Sequence, residues 1–188
     1  AWTLLGLSAM PTDHPLNVGM VGMHGNYGPN VLTNECDVLI ALGMRFDDRV
    51  TGNLATYAKQ AKVIHFEIDS AEVDKNVKTT VAVLADLKES LTALLPLIEK
   101  NSHESWHNEF KEKYKIELEA VINDELKPKK EGISMGETIE MINKHSKGDA
   151  IMVSDVGQHQ MFTCRYSKFN QTKSNITSGG LGTMGFAL

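Results

Sequence analysis

Residues 43–52 read GMRFDDRVTG and place Arg45, Asp47, Asp48 and Arg49 directly after an apolar run of strand length. The carboxyl end of a buried strand is where open α/β sheets bind ligands. A guanidinium is a planar fork of N–H donors that fits a phosphate or a carboxylate. Solvated surface charge would explain the same residues, but a glycine-marked strand end favours an anion site. A second group comes earlier, at Gly22-Met23-His24-Gly25 followed by Tyr27-Gly28-Pro29. Its glycines permit tight turns and close approach of a ligand, and amides at the helix start that follows can meet an anion. A plain structural turn is the simpler explanation of that motif on its own. Glu67 ends the next apolar run and Asp86 follows the one after. An acid so placed accepts hydrogen bonds from a ribose. Asp86 is equally suited to cap a helix, and Glu67 to cap the turn around Asp69 and Ser70.

Two later segments are rich in glycine: residues 155–160 (DVGQHQ) and 178–185 (SGGLGTMG). Each is expected to follow a strand and to lead into a helix, whose free N–H groups can hold a diphosphate. Two such loops after consecutive strands point to one ligand at the sheet edge. His103-Glu104-Ser105-Trp106-His107 fits the HExxH zinc-protease pattern, with Glu125 as a conceivable third ligand. No HxxGxxH extension follows it, and charged residues are expected at the polar start of a helix, so this reading is a minor alternative. His14, His65 and His145 are isolated and read as structural or solvated.

The elements that must position these groups alternate between strand and helix patterns. Residues 36–42 (CDVLIAL), 62–68 (KVIHFEI) and 79–84 (TTVAVL) are continuous apolar runs, the pattern of strands buried on both faces of a parallel sheet. Residues 28–35 predict a short helix with Pro29 in its first turn. Asp86 and Glu89 make a capping-box pattern before a stripe of Leu87, Leu91, Leu94, Leu95 and Ile98, kinked or shortened at Pro96. Trp106, Phe110, Tyr114, Leu118, Val121 and Ile122 recur at helical spacing, predicting one long amphipathic helix over 102–126. Residues 127–132 (KPKKEG) are the best linker. Ser134 and Glu137 then cap another helix, which leads to a strand at 150–154. The fold class is α/β: a Rossmann-like parallel sheet covered by helices, plus the start of a second α/β unit. The domains expected are 1–100, a helical connector with linker at 101–132, and 133–188.

With 188 residues, 41% apolar and 23% charged, the composition is that of an ordinary globular protein. A net charge of -5 gives no basic footprint for nucleic acid, and no apolar run approaches the roughly 20 residues that span a bilayer. Cys36 and Cys164 lie far apart and form no CxxC, so both read as buried reduced thiols in a cytoplasmic protein. The chain opens in an apolar, strand-like run at residues 1–5 (AWTLL), without the flanks of a signal peptide, and closes in GTMGFAL. Both ends read as cut from a longer protein.

Taken in order, GMHG (22–25), GMRFDDRVTG (43–52), HFEID (65–69), SDVGQHQM (154–161) and TSGGLGTMGFAL (177–188) resemble the catalytic large subunit of acetohydroxyacid (acetolactate) synthases. The RFDDR and GQHQM segments discriminate most, and the resemblance is weakest over 99–131. It implies most of a central FAD-binding domain joined to the opening of a diphosphate-binding domain. By motif, Thr3, Met23, His24, Gly43, Met44, Arg45, Asp47, Arg49, Val50, Glu67, Ile68 and Asp86 would lie along FAD. Trp2 stands where the family usually has the first of two threonines, and Thr3 matches the second. Val156, Gly157, Gln158 and His159 would bind the diphosphate of thiamine diphosphate, with Gly182 and Met184 on its pyrimidine side. Arg49 and Met23 would also meet the acceptor 2-oxo acid, whose carboxylate suits a guanidinium.

The resemblance further implies a transferase of branched-chain amino acid biosynthesis. It would decarboxylate pyruvate and join the two-carbon unit to pyruvate or 2-oxobutyrate, with FAD in a structural rather than redox role. The Mg2+ ligands would lie beyond Leu188, and the pyrimidine-activating glutamate in a domain before Ala1. The chain alone is therefore expected to be inactive, within a parent that is a homo-oligomer and takes a regulatory small subunit in some cases. A glyoxylate carboligase or 2-oxo acid decarboxylase is the nearest rival, and a stand-alone nucleotide-binding module the rival from another class.

Overall fold

Three apolar runs become the strands of one parallel sheet in the computed structural model, which describes residues 1–127 and 131–188. The middle of the expected linker, 128–130, lies outside the described residues. The chain divides into two compact units: Val31–Trp106, and residues 1–30 together with 107–188.

In the first unit, strands β1 (Val38–Leu42), β2 (Lys62–Glu67) and β3 (Val81–Leu84) lie in that order. Leu42 pairs with Phe66, and Glu67 with Leu84, so all three strands end along one edge. Ala41 and Val63 pack with Phe46, Tyr57 and Ala58 as the core. The expectation of strands buried on both faces holds only for the central β2. On β1, Val38, Ile40 and Leu42 are 43%, 57% and 46% exposed. Ala41 of β1 reaches that core, whereas α3 (Leu87–Leu94) buries none of its residues. Asp86 caps α3 by accepting from the N–H groups of Lys88 and Glu89, and Pro96 sits in the 3-10 turn Leu95–Leu97 that follows. A helix α1 (Tyr27–Thr33) runs into this unit, and a single turn α2 (Asp48–Thr51) follows β1.

In the second unit the strand-like opening at 1–5 does not form a strand. Trp2 makes one parallel bridge to Met20, after which Gly6 N–H turns back to the Thr3 carbonyl at 3.0 Å. Trp2, Leu7, Met20, Cys164 and Phe169 form its main core. Nor is 102–126 one α-helix. Helix α4 (Glu104–Glu117) gives way to a π-helical turn (Leu118–Ile122) and then α5 (Asn123–Leu126). The stripe also differs from the expected one: Tyr114 and Val121 stay exposed, while Ile122 and the charged Glu117 are buried. Helix α6 (Met135–Ser146) starts at the expected capping box, with Ser134 and Glu137 bonded reciprocally. Strand β4 (Met152–Ser154) pairs in parallel with β5 (Asn175–Thr177), and α7 (Gln158–Tyr166) runs between them. The described architecture is α/β, with parallel sheets and flanking helices.

Candidate functional site

The edge where β1, β2 and β3 end gathers most of the residues expected along one ligand. Gly43 follows β1 directly and bonds to the carbonyl of Phe66 at 2.8 Å, so the motif loop starts level with the end of β2. Its φ of +62° lies in the left-handed region that glycine tolerates. Phe46 also has a left-handed φ, +54°, which is costly for a bulky residue. Burial holds it there. The ring is 2% exposed and meets His65 edge-on at 5.0 Å and Tyr57 at 6.3 Å. With Phe46 plugged into the core, Arg45 and Arg49 on either side are left exposed. Neither guanidinium makes an ion pair among the described residues, which is the condition for receiving an anion. Met44 and Val50 are half-buried beside them.

The acids at this edge are already engaged locally. Asp47 caps α2 by accepting from Arg49 N–H at 3.0 Å. Glu67 is buried, and its Oε1 accepts from the N–H groups of Ile68 and Asp69 at 2.9 and 3.2 Å. Asp86 caps α3. The turn-capping and N-capping alternatives for Glu67 and Asp86 are therefore realised. His65 is structural: fully buried, with Nε2 2.9 Å from the Met44 carbonyl and 3.7 Å from Glu67 Oε2. A carbonyl only accepts, so Nε2 carries the proton. Ile68 is 70% exposed at the strand end, an open apolar surface next to the charged loop.

Thr3, Met23 and His24 belong to the other unit. Thr3 Oγ1 accepts from Gly6 N–H at 3.3 Å within its own turn. Residues 22–26 form a tight loop. Asn30 bonds both ways to Gly22, at 2.8 and 2.9 Å, and Asn26 both ways to Met20, at 3.0 and 2.7 Å. A Cβ on Gly25 would lie 2.3 Å from the Met20 carbonyl oxygen, so only glycine fits. The loop leaves Met23 62% exposed and His24 exposed.

The β4–β5 pair builds a second mouth. After β4, residues 155–157 enter α7, whose start at Gly157 has no side-chain cap. The first-turn amides of such a helix lack intrahelical partners and attract anions. After β5, the loop 178–183 folds on Ser178, whose carbonyl accepts from Gly182 N–H at 2.8 Å and whose hydroxyl accepts from Thr183 N–H at 3.0 Å. Asp155 ties the two loops together. Its carboxylate accepts from Gly185 and Ala187 N–H, both at 2.8 Å, and these bonds hold its pKa below the usual 3.8. A Cβ on Gly182 would touch Val156 at 3.8 Å, so the two loops are neighbours. Val156, Gly157, Gln158, His159, Gly182 and Met184 thus come to one end of one parallel pair. Met184 is 64% exposed. After this loop, where a helix is expected, residues 184–187 form a turn whose Gly185 and Ala187 N–H groups donate to Asp155.

The family model described as "Thiamine pyrophosphate enzyme, central domain" matches residues 1–94, half of the chain. The chain belongs to the thiamine pyrophosphate enzyme family. A second model of that family, "C-terminal TPP binding domain", matches residues 155–188, which begin at the Asp155 clamp. The chain is 45% identical over 187 residues to the acetolactate synthase large subunit of Lactococcus lactis, covering 99% of this chain and 32% of the relative. It is 41% identical to the probable acetolactate synthase large subunit of Methanocaldococcus jannaschii, covering 98% and 32%, and 37% identical to acetolactate synthase 2, chloroplastic, of Zea mays, covering 99% and 29%. It spans about a third of the length of these relatives.

Sequence reasoning gave no role to two residues that build these mouths, Phe46 and Asp155, while His65, read as structural or solvated, is structural. Phe46 and His65 anchor the arginine loop, and Asp155 joins the glycine loops. Asp155 carried a signal, an acid at a strand end directly before Val-Gly; Phe46 carried none beyond its motif. In the HExxH segment, α4 starts at Glu104 and so excludes His103. No group of three or more His, Cys, Asp or Glu among the described residues is placed to hold a metal ion.

Proposed function

We propose that the chain is part of a thiamine diphosphate-dependent acetolactate synthase. On this reading it contributes to the decarboxylation of pyruvate and the condensation of the two-carbon unit with a second 2-oxo acid, in branched-chain amino acid biosynthesis. The observation that carries it is the Asp155 clamp, which sets an uncapped helix start against a glycine loop at the carboxyl end of β4 and β5. Similarity to proteins named acetolactate synthase over nearly the whole chain supports the same reading.

Thiamine diphosphate, when bound, supplies the thiazolium carbon at which a 2-oxo acid loses carbon dioxide. The residues of this chain bind and orient. Amides at Gly157, Gln158 and His159 meet the diphosphate, Val156 lines it, and Gly182 with the apolar Met184 supports the pyrimidine side. FAD is assigned to Thr3, Met23, His24, Gly43, Met44, Arg45, Asp47, Arg49, Val50, Glu67, Ile68 and Asp86; the Arg45 and Arg49 guanidiniums, which make no ion pair among the described residues, would suit its phosphates. Arg49 and Met23 are assigned to the acceptor, pyruvate or 2-oxobutyrate. Mg2+ is the third cofactor, and a homo-oligomer with a regulatory small subunit the partner set. We place the protein in the cytoplasm; no described helix is long and apolar enough to cross a membrane. The domain division proposed is 1–100, 101–132 and 133–188, supported by family matches at 1–94 and 155–188.

Calorimetric titration of the parent protein that carries these residues with thiamine diphosphate plus Mg2+, and separately with FAD, tests the reading. Saturable binding of each is expected, with Asp155→Ala weakening thiamine diphosphate alone and Arg45→Gln weakening FAD alone. Absence of both would overturn it, as would binding indifferent to these substitutions.

A further inference from the structure

Glu117 is the last residue of α4 and is 4% exposed, and it lies outside the two family-matched segments, 1–94 and 155–188. A carboxylate is rarely buried without partners, and this one has several. Arg165 Nη2 donates to its Oε1 at 2.5 Å, Tyr27 N–H donates to Oε2 at 3.0 Å, and Asn26 Nδ2 lies at 3.4 Å from Oε1. Arg165 spends its remaining nitrogens nearby. Nη1 donates to the Gly25 carbonyl at 3.1 Å, and Nε to the Tyr166 hydroxyl at 3.0 Å. One ion pair therefore grips three consecutive residues, Gly25, Asn26 and Tyr27, through a carbonyl, an amide side chain and a backbone N–H. The partners are 90 and 140 residues apart in sequence.

Arg165 rides on α7, whose first residues are Gln158 and His159, and the gripped residues close the loop that presents Met23 and His24. Burying two charges for stability alone is a poor use of them, since well-packed apolar residues of the same volume do as well or better. What the pair adds is direction. A planar guanidinium fork and a two-oxygen acceptor fix the gripped backbone in one place. The π-helical turn that begins directly after Glu117 re-aims the helix at this point.

We propose that Glu117 and Arg165 are positioning residues, which hold the Met23–His24 loop in register with the α7 helix start at Gly157–His159. The proposal rests on the reading of those two segments as cofactor-binding. The pair contacts neither ligand in that reading, and acts through the loop backbone.

Hydrogen exchange by mass spectrometry, together with the two cofactor titrations, decides it on the full chain. Glu117→Ala and Arg165→Ala are expected to speed exchange of the 23–27 peptide by roughly 10–100-fold, the loss of charge-assisted hydrogen bonds. Exchange in α6 should move less than about threefold, within the spread of unrelated sites. Glu117→Gln keeps one oxygen, for Tyr27 N–H or for Arg165, and sets its NH2 against the other donor, so it should restore only part of the protection; Arg165→Lys keeps the charge but not the fork and should restore less. FAD affinity falls in the same order as loop protection, whereas thiamine diphosphate affinity holds. The proposal is overturned if folded variants leave 23–27 unchanged, or if α6, α7 and the loop loosen together with equal loss of both affinities, the pattern of ordinary packing. Should the alanine variants fail to fold, the Gln and Lys variants carry the comparison. Failure of the parent chain to bind either cofactor would sink the functional reading, while loop exchange still judges the pair.

Discussion

Removing the Phe46 ring should loosen the whole β1–β3 edge. The ring is 2% exposed and packed against His65 and Tyr57, so Phe46→Ala opens a cavity that neighbours on strands cannot refill. Such truncations cost about 3–5 kcal/mol. Phe46→Leu keeps an apolar plug and forfeits mainly the edge-on ring contacts, about 0.5–1.5 kcal/mol. The backbone gives a sharper test. At an ordinary position glycine is worse than alanine by about 0.5–1 kcal/mol. At a φ of +54° alanine itself carries about 1–2 kcal/mol of left-handed strain. Phe46→Gly should therefore be no less stable than Phe46→Ala. Native-state hydrogen exchange of the β2 amides reads this within the unit, independently of the other one. The expected acceleration is roughly two to nearly four powers of ten for alanine and about one for leucine. FAD affinity should drop in the same order, since Arg45 and Arg49 lose their anchor. Equal, less than threefold effects of Ala and Leu on exchange and on FAD binding would refute the anchoring argument.

Acid should release the loop clamped by Asp155. Hydrogen bonds from Ala187 and Gly185 depress its pKa below 3.8, so the clamp is intact above that value and fails as pH falls through the lower folded one. Exchange corrected for intrinsic rate should show 178–187 protected at pH 5–7 and loosened only below about pH 4; loosening near pH 6 would contradict this. Gly25→Ala forces a Cβ to 2.3 Å from a backbone oxygen and should destabilise the 22–26 loop by about 1–3 kcal/mol, seen as faster exchange there with α3 unchanged. Burial pushes the Cys164 thiol up to about 12 and also raises half-buried Cys36. Iodoacetamide at pH 8 should label Cys36 slowly and Cys164 only on unfolding, and rapid modification of native Cys164 would refute its burial.

The apolar runs, their caps and the glycine motifs were legible because each is a local property. Period and length mark β1, β2 and β3, and Asp86 and Ser134 announce their helices by residue type and spacing. The rest failed where a local pattern had more than one tertiary outcome. An apolar pentapeptide at 1–5 became a bridge and a turn, because Gly6 N–H closes on the Thr3 carbonyl. The amphipathic stretch over 102–126 met a π-helical turn that no periodicity encodes. The open face of β1 was hidden for the same reason: hydrophobicity reports a wish for burial, not which neighbour supplies it.

By itself the order of residues determined an α/β chain with charged and glycine-rich turns following its strands, since strand period, capping chemistry and glycine's freedom act within a few neighbours. Only the tertiary structure decided that Phe46 would plug a core, that Asp155 would lock two loops 30 residues apart, and that a buried Glu117 would meet Arg165. Those pairings depend on which distant groups the folded backbone brings within hydrogen-bond reach, a distance that no local pattern carries.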